Sequence, residues 1–113
     1  MTDCIFCKIA SGQMQSNKVY EDDKIVAFKD INPMAPIHLL VIPKKHIENV
    51  MQINNSNSEI IAHIFEKIPT IAKENGLGDG FRLVSNCNEI AGQSVFHLHF
   101  HLLGGKKLSL EMA

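Results

Sequence analysis

Across residues 95–105 imidazoles alternate with bulky apolar side chains, His97, His99 and His101 against Leu98, Phe100 and Leu102. A repeat of two is the side-chain period of a strand, so the pattern predicts one strand with the imidazoles on one face and a core-packing row on the other. Residues 58–72 follow a different rhythm. Ile60, Ile61, Ile64, Phe65, Ile68 and Ile71 recur mostly three and four apart, with Glu59, Glu66 and Lys67 free to face water. This predicts one long amphipathic helix whose apolar stripe covers a sheet. Ser58 is its candidate N-cap, and Pro69 is expected to kink it or loosen its last turns.

Shorter patterns complete the chain. Residues 4–11 carry a partial apolar stripe at Ile5, Phe6 and Ile9, with Asp3 as candidate N-cap and Gly12 as the stop, which predicts a short helix. Residues 19–21 and 25–28 form a predicted hairpin around Glu21, Asp22 and Asp23. Pro33 and Pro36 make residues 30–36 a fixed loop, and the apolar run 38–43 reads as an inner strand ended by Pro43 and the basic turn Lys44, Lys45, His46. A glycine-rich exit at 75–80 leads to a strand over 81–86, and a turn over 88–94 leads into the histidine segment. The order is helix, three strands, long helix, two strands. Links between the first strands are too short for helical crossovers, so an antiparallel α+β fold with five strands is expected.

Composition narrows the possibilities. With 113 residues, the chain suffices for a single domain spanning 1–113. A net charge of -1 and no long basic block give no support to nucleic-acid binding, although a small anion needs only local positive groups. No segment has the length of a membrane span, and the N-terminus lacks the apolar core of a signal peptide, so a cytoplasmic protein is expected. Cys4, Cys7 and Cys87 are an odd set, and a reducing compartment disfavours a disulfide reading. Cys4 and Cys7 form a C-x-x-C pair suited to redox exchange or to metal binding, with His46 or His97 available as further ligands.

The histidines limit their own chemistry. Neighbours on one strand face lie about 6 to 7 Å apart and the outer pair about 13 Å, so one metal gathered by all three is disfavoured and a division of labour is expected. Neutral imidazole is a nucleophile or base and imidazolium donates to anions, so adjacent members suit attack on phosphorus and support of its oxygens. Just before them, Gly92 permits close backbone approach, Gln93 lies in the same turn, Ser94 offers a hydroxyl, and the turn's N–H groups can cup an oxyanion.

Residues 92–105, together with 30–38, 41–46 and 4–9, resemble the motif blocks of the histidine triad (HIT) family, and the likeness spans nearly the whole chain. It is most similar to the purine nucleoside phosphoramidase branch, the histidine triad nucleotide-binding proteins. The resemblance implies hydrolysis of purine nucleoside phosphoramidates or aminoacyl adenylates, such as lysyl adenylate, to an AMP- or GMP-like monophosphate and an amine. His99 would be the nucleophile and form a covalent nucleotidyl-histidine. His101 would contact phosphate, with Ser94 and Gln93 beside the scissile group and His38 in support. Asp30 would receive the ribose hydroxyls with Ile31 adjacent, while Ile5, Phe6 and Phe28 would wall the base and Asn86 would contact ribose and phosphate. On composition alone, Phe6 and Phe28 also suit core positions, Asp30 a turn cap and His38 a structural role.

The same resemblance implies a structural zinc held by Cys4, Cys7, His46 and His97, no catalytic cofactor, and a homodimer whose sheets join into one of ten strands. A symmetric partner could cover the long helix and an exposed strand edge. The tail 106–113 departs from the family's tryptophan-containing end, which leaves the preferred leaving amine open. Two alternatives remain: a diadenosine polyphosphate hydrolase of the same family, and a noncatalytic nucleotide-binding or interaction protein.

Overall fold

A computed structural model describes residues 4–111 of the chain. Helix α1 (Ile5–Ser11) is followed by strands β1 (Lys18–Glu21), β2 (Ile25–Lys29) and β3 (Ile37–Pro43), helix α2 (Ser58–Glu74), and strands β4 (Arg82–Val84) and β5 (Phe100–Gly104). The strands form one antiparallel sheet in the order β1-β2-β3-β5-β4. The predicted α+β order of one short helix, one long helix and five strands is therefore the observed one. Strand β3 is central and buried from His38 to Pro43, as its unbroken apolar run requires. Among the described residues, no helix is long and apolar enough to cross a membrane.

Each face of the sheet packs a different helix. Ile25, Ala27, Leu39, Val41, Leu98, Phe100 and Leu102 form one core with Ile64, Ile68, Ile71 and Ala72 of α2. Val26, Phe28, Leu40 and Ile42 point the other way and pack against Phe6, Ile9 and Ala10 of α1. Seven helical residues extend about 10 Å, whereas the outer strands of a five-stranded sheet are about 19 Å apart. Helix α1 therefore covers the β2–β3 half of its face and leaves the β5–β4 half open. On that half Leu103 and Arg82 continue the cross-strand row of His38, and His101 and Val84 continue the row that Leu40 begins beneath α1.

Several local expectations change in the folded chain. Cys4, rather than Asp3, occupies the N-cap of α1, its Sγ accepting from the Cys7 N–H at 3.4 Å; Asp3 lies outside the described residues. Gly12 ends α1 in the left-handed region at φ 83°, as predicted. Ser58 is the first residue of α2 and Asn57 takes the cap position; the Asn57 side chain instead accepts from the Asn54 N–H and donates to the Gln52 carbonyl. Pro69 lies inside α2, which continues to Glu74. Buried Ile68, Ile71 and Ala72 on either side of it hold the turns that one missing N–H weakens.

The histidine segment is a strand only from Phe100. Phe100 pairs with Val41, and continuing that ladder backwards would set Leu98 opposite Pro43, which has no N–H and ends β3. The Leu98 N–H instead donates to the Ile47 carbonyl at 2.6 Å. The alternation of faces nevertheless survives without the ladder, since Leu98 is buried in the α2 core.

Candidate active site and metal cluster

The histidine segment divides its work by position. His97 is fully buried, and its Nε2 lies 2.8 Å from the Pro43 carbonyl, to which only a protonated Nε2 can donate. Nδ1 then carries a lone pair. It lies 3.3 Å from the Cys4 Sγ and 3.5 Å from the Cys7 Sγ, and the His46 Nδ1 lies 3.3 Å from the Cys7 Sγ. All four donor atoms fall within 4.8 Å of one another. Bonds of about 2.0 to 2.3 Å at tetrahedral angles put donor atoms about 3.4 to 3.8 Å apart, so this set has the spacing and the chemistry of a Cys2His2 metal site. Burial raises the Cys7 thiol above its ordinary value, with Cys4 adding to the effect, and burial pushes His97 down to about 4. Both donors thus gain from a cation that holds thiolate and neutral imidazole together.

His99 sits between the two ends of the segment. Its Nδ1 lies 2.7 Å from the His97 carbonyl, so Nδ1 carries the proton and Nε2 the lone pair. Burial lowers its pKa and keeps it neutral. Phe6 meets its ring edge-on at 5.1 Å, and Ser85 Oγ donates to its carbonyl at 2.9 Å.

His101 belongs to a second cluster with His38 and Asp30. The Met34 N–H donates to His38 Nδ1 at 3.0 Å, which places the His38 proton on Nε2. That Nε2 lies 2.9 Å from His101 Nδ1 and 3.4 Å from Asp30 Oδ2. His101 accepts at Nδ1 and therefore presents Nε2–H. Burial, followed by the neighbouring His99 and His38, pushes His101 down to about 4, and burial lowers His38 as well. The rings of His99 and His101 are 5.0 Å apart. A lone pair on one imidazole thus stands beside a donor on the next.

The remaining candidates divide between core and surface. Phe6 and Phe28 are buried and meet edge-to-face at 5.6 Å, so they form the floor of the α1 side. Ile5 and Ile31 are exposed apolar side chains, Ile31 at 87%. Asp30 is half-buried, with Oδ1 accepting from the Asn32 N–H, so it caps its turn and also faces His38. Gly92, at φ 90°, and Ser94 are exposed in the turn before the histidines, while Asn86 is half-buried with His38 and His101 in the lining of a cleft of about 590 Å³.

Gln93 turns inward. Its Nε2 donates to the Glu48 and Val95 carbonyls at 2.8 and 3.1 Å, and its Oε1 accepts from the Asn88 N–H at 2.7 Å and the Asn49 side chain at 3.4 Å. Buried Asn49 also donates to Asn88 Oδ1 at 3.0 Å. This amide network pins the turn of Gly92 and Ser94 to the segment after His46. Asn49, Ser85 and Asn88 escape sequence reasoning, because nothing in their local pattern separates a buried amide or hydroxyl from a solvated one. Asn88 stands at φ 71° and ψ 164°, a backbone region nearly confined to glycine, which its residue type does not signal.

Comparison with known proteins agrees with this geometry. The chain matches the family model described as scavenger mRNA decapping enzyme C-term binding over residues 3–112. It is 46% identical to protein HitA of Neisseria gonorrhoeae over 104 residues, which are 92% of this chain and 97% of that protein. Among solved structures it is similar to a histidine triad protein from Clostridium difficile, with 50% identity, a TM-score of 0.93, and coverage of 99% of this chain and 98% of that one. A HIT family hydrolase from Legionella pneumophila is 47% identical with a TM-score of 0.91, covering 96% of this chain and 97% of its own.

Proposed function

Since the chain belongs to the histidine triad (HIT) superfamily, we propose that it is a hydrolase of purine nucleoside phosphoramidates acting through a nucleotidyl-histidine intermediate. The observation that carries this reading is the tautomer of His99. Its Nδ1–H is held by the His97 carbonyl, so Nε2 is the nucleophilic atom, and the cation formed on attack keeps its hydrogen bond.

In the first step His99 Nε2 bonds to the α-phosphorus, the P–N bond breaks, and the departing nitrogen takes one proton. The His38–His101 pair supplies that proton. Burial keeps both rings neutral in the free protein, while a bound phosphate anion and Asp30 favour the protonated pair. Water then attacks phosphorus, the P–Nε2 bond breaks, and one proton returns to the pair. Ser94 and the N–H groups of its turn support the phosphate oxygens, and Gln93 acts by holding that turn in place. Asp30 accepts the ribose hydroxyls, Asn86 contacts the ribose-phosphate region, and Ile5 and Ile31 flank the purine over the Phe6 and Phe28 floor.

Zinc held by Cys4, Cys7, His46 and His97 supplies a structural cross-link between α1 and the histidine segment. Two chains are proposed to pair into a homodimer with a continuous sheet, which sedimentation at micromolar concentration tests; a monomer alone would refute it. The test of the chemistry is direct. Adenosine 5'-phosphoramidate should leave a nucleotidyl adduct on His99 detectable by mass spectrometry after acid-free quenching, and His99→Ala should abolish turnover while retaining AMP binding. Turnover by that variant would refute the reading. A diadenosine polyphosphate hydrolase is the second reading, favoured by the cations that line the cleft beyond His101.

A further inference from the structure

His99 stands just outside the ladders of the sheet. Strand β5 begins at Phe100, the pairs between β3 and β5 end at Val41 with Phe100, and those between β4 and β5 end at Val84 with His101. Just upstream, the Leu98 N–H bonds the Ile47 carbonyl, beyond the end of β3. The His99 ring is fixed against its own surroundings by the His97 carbonyl at 2.7 Å and by the edge-on Phe6 ring at 5.1 Å. Neither contact ties the His99 peptide to the sheet.

Ser85 supplies that tie. It is the first residue after β4, and its Oγ donates to the His99 carbonyl at 2.9 Å, so a side-chain hydroxyl stands in for a rung where the ladder has ended. The bond lies on the β5 side of β4, away from that strand's free edge, and a second chain paired on the edge leaves it in place. The next residue is Asn86, the proposed ribose-phosphate contact. One hydrogen bond therefore links a group that holds the nucleotide to the group that attacks it.

Resting on the hydrolase reading above, we infer that Ser85 is a positioning residue, whose hydroxyl sets where His99 Nε2 stands relative to the α-phosphorus. Attack requires the reacting atoms about 3 to 3.5 Å apart and aligned, and a displacement of about 1 Å costs about a hundredfold in rate. Without the donor the His99 peptide can shift, and the ring moves with it. Alanine and valine cannot donate, whereas threonine carries the same hydroxyl.

The test compares Ser85→Ala, Ser85→Val and Ser85→Thr with wild type by rapid-quench measurement of the adduct formed on His99 from adenosine 5'-phosphoramidate, with AMP affinity measured separately. In the Ala and Val variants the single-turnover rate should fall about ten- to a hundredfold while AMP affinity stays within about twofold, and Ser85→Thr should recover most of the rate. An isotope-labelled carbonyl at His99 should change its NMR shift in the Ala and Val variants and return in the Thr variant, in the free protein and without turnover. Unchanged adduct formation in Ser85→Ala, or no recovery in Ser85→Thr, would overturn the positioning role while leaving the hydrolase reading intact. A loss of AMP affinity that matches the loss of rate would assign Ser85 to nucleotide binding and also overturn it. Valine keeps the branched volume of threonine, so it replaces an Ala variant that does not fold; failure of both to fold would make the bond purely architectural and overturn the role as well. No adduct on His99 in the wild type would remove the hydrolase reading and the positioning role together.

Discussion

The two ends of the histidine segment place the same side chain in opposite surroundings. At His97 the ring is fully buried, its Nε2 bound to the Pro43 carbonyl and its Nδ1 facing two thiols. At His101, four residues on, the ring is half-buried, bonded to another imidazole and open to a cleft. Helix α1 accounts for the difference: it brings Cys4 and Cys7 over one end and stops short of the other. The enclosed end therefore suits holding structure, and the open end suits meeting a substrate. His99 touches both, its ring donating to the His97 carbonyl and standing beside His101.

Substitutions at the two ends should separate activity from stability. His101→Asn is expected to lower kcat by about a hundred- to ten-thousandfold, the range for loss of a proton-transfer group, with little change in the thermal midpoint. A variant within fivefold of wild type would remove His101 from the chemistry. His97→Ala should show the converse as its main effect, with loss of bound zinc by elemental analysis and a stability loss of about 3 kcal/mol or more from a vacated, metal-depleted cavity. Zinc-free wild-type protein with an unchanged unfolding midpoint would break the contrast.

Gln93→Leu sits between these extremes. It strands the Glu48 carbonyl and the Asn88 N–H, so about 1 to 3 kcal/mol of stability should be lost and KM should rise as the Ser94 turn loosens. Unchanged KM with lowered stability would make the network purely architectural.

The smallest effect is one of pH. His101 titrates near 6.5 when unfolded and near 4 when folded, so between these values the folded state binds fewer protons. Its contribution to stability is present above about 6.5 and lost as pH falls toward 4. Denaturant titrations of wild type and His101→Asn should run together above about 6.5 and diverge across that window, the wild type losing more stability as pH falls. A constant difference down to pH 4 would contradict the burial of a neutral ring.

Much of this division was legible in advance. Alternation along residues 97–102 predicted the two faces, and strand spacing argued against one metal shared by three histidines; in the fold His97 and His101 do join separate clusters. What escaped were features set by distant partners. The ladder stops at Phe100 because Pro43 ends the neighbouring strand. Gln93, read as a group beside the scissile bond, turns inward because Glu48 and Asn49 lie beneath it.

By itself the order of residues determined the element types, the facing of the histidines and the presence of a thiol pair, because side-chain period and backbone preference are local properties. Tertiary structure alone decided which nitrogen of each imidazole carries a proton, which half of the sheet stays open, and that thiols near the N-terminus meet histidines 39 and 90 residues further along. Those outcomes depend on atoms brought within a few ångströms by packing, and separation along the chain carries no record of such distances.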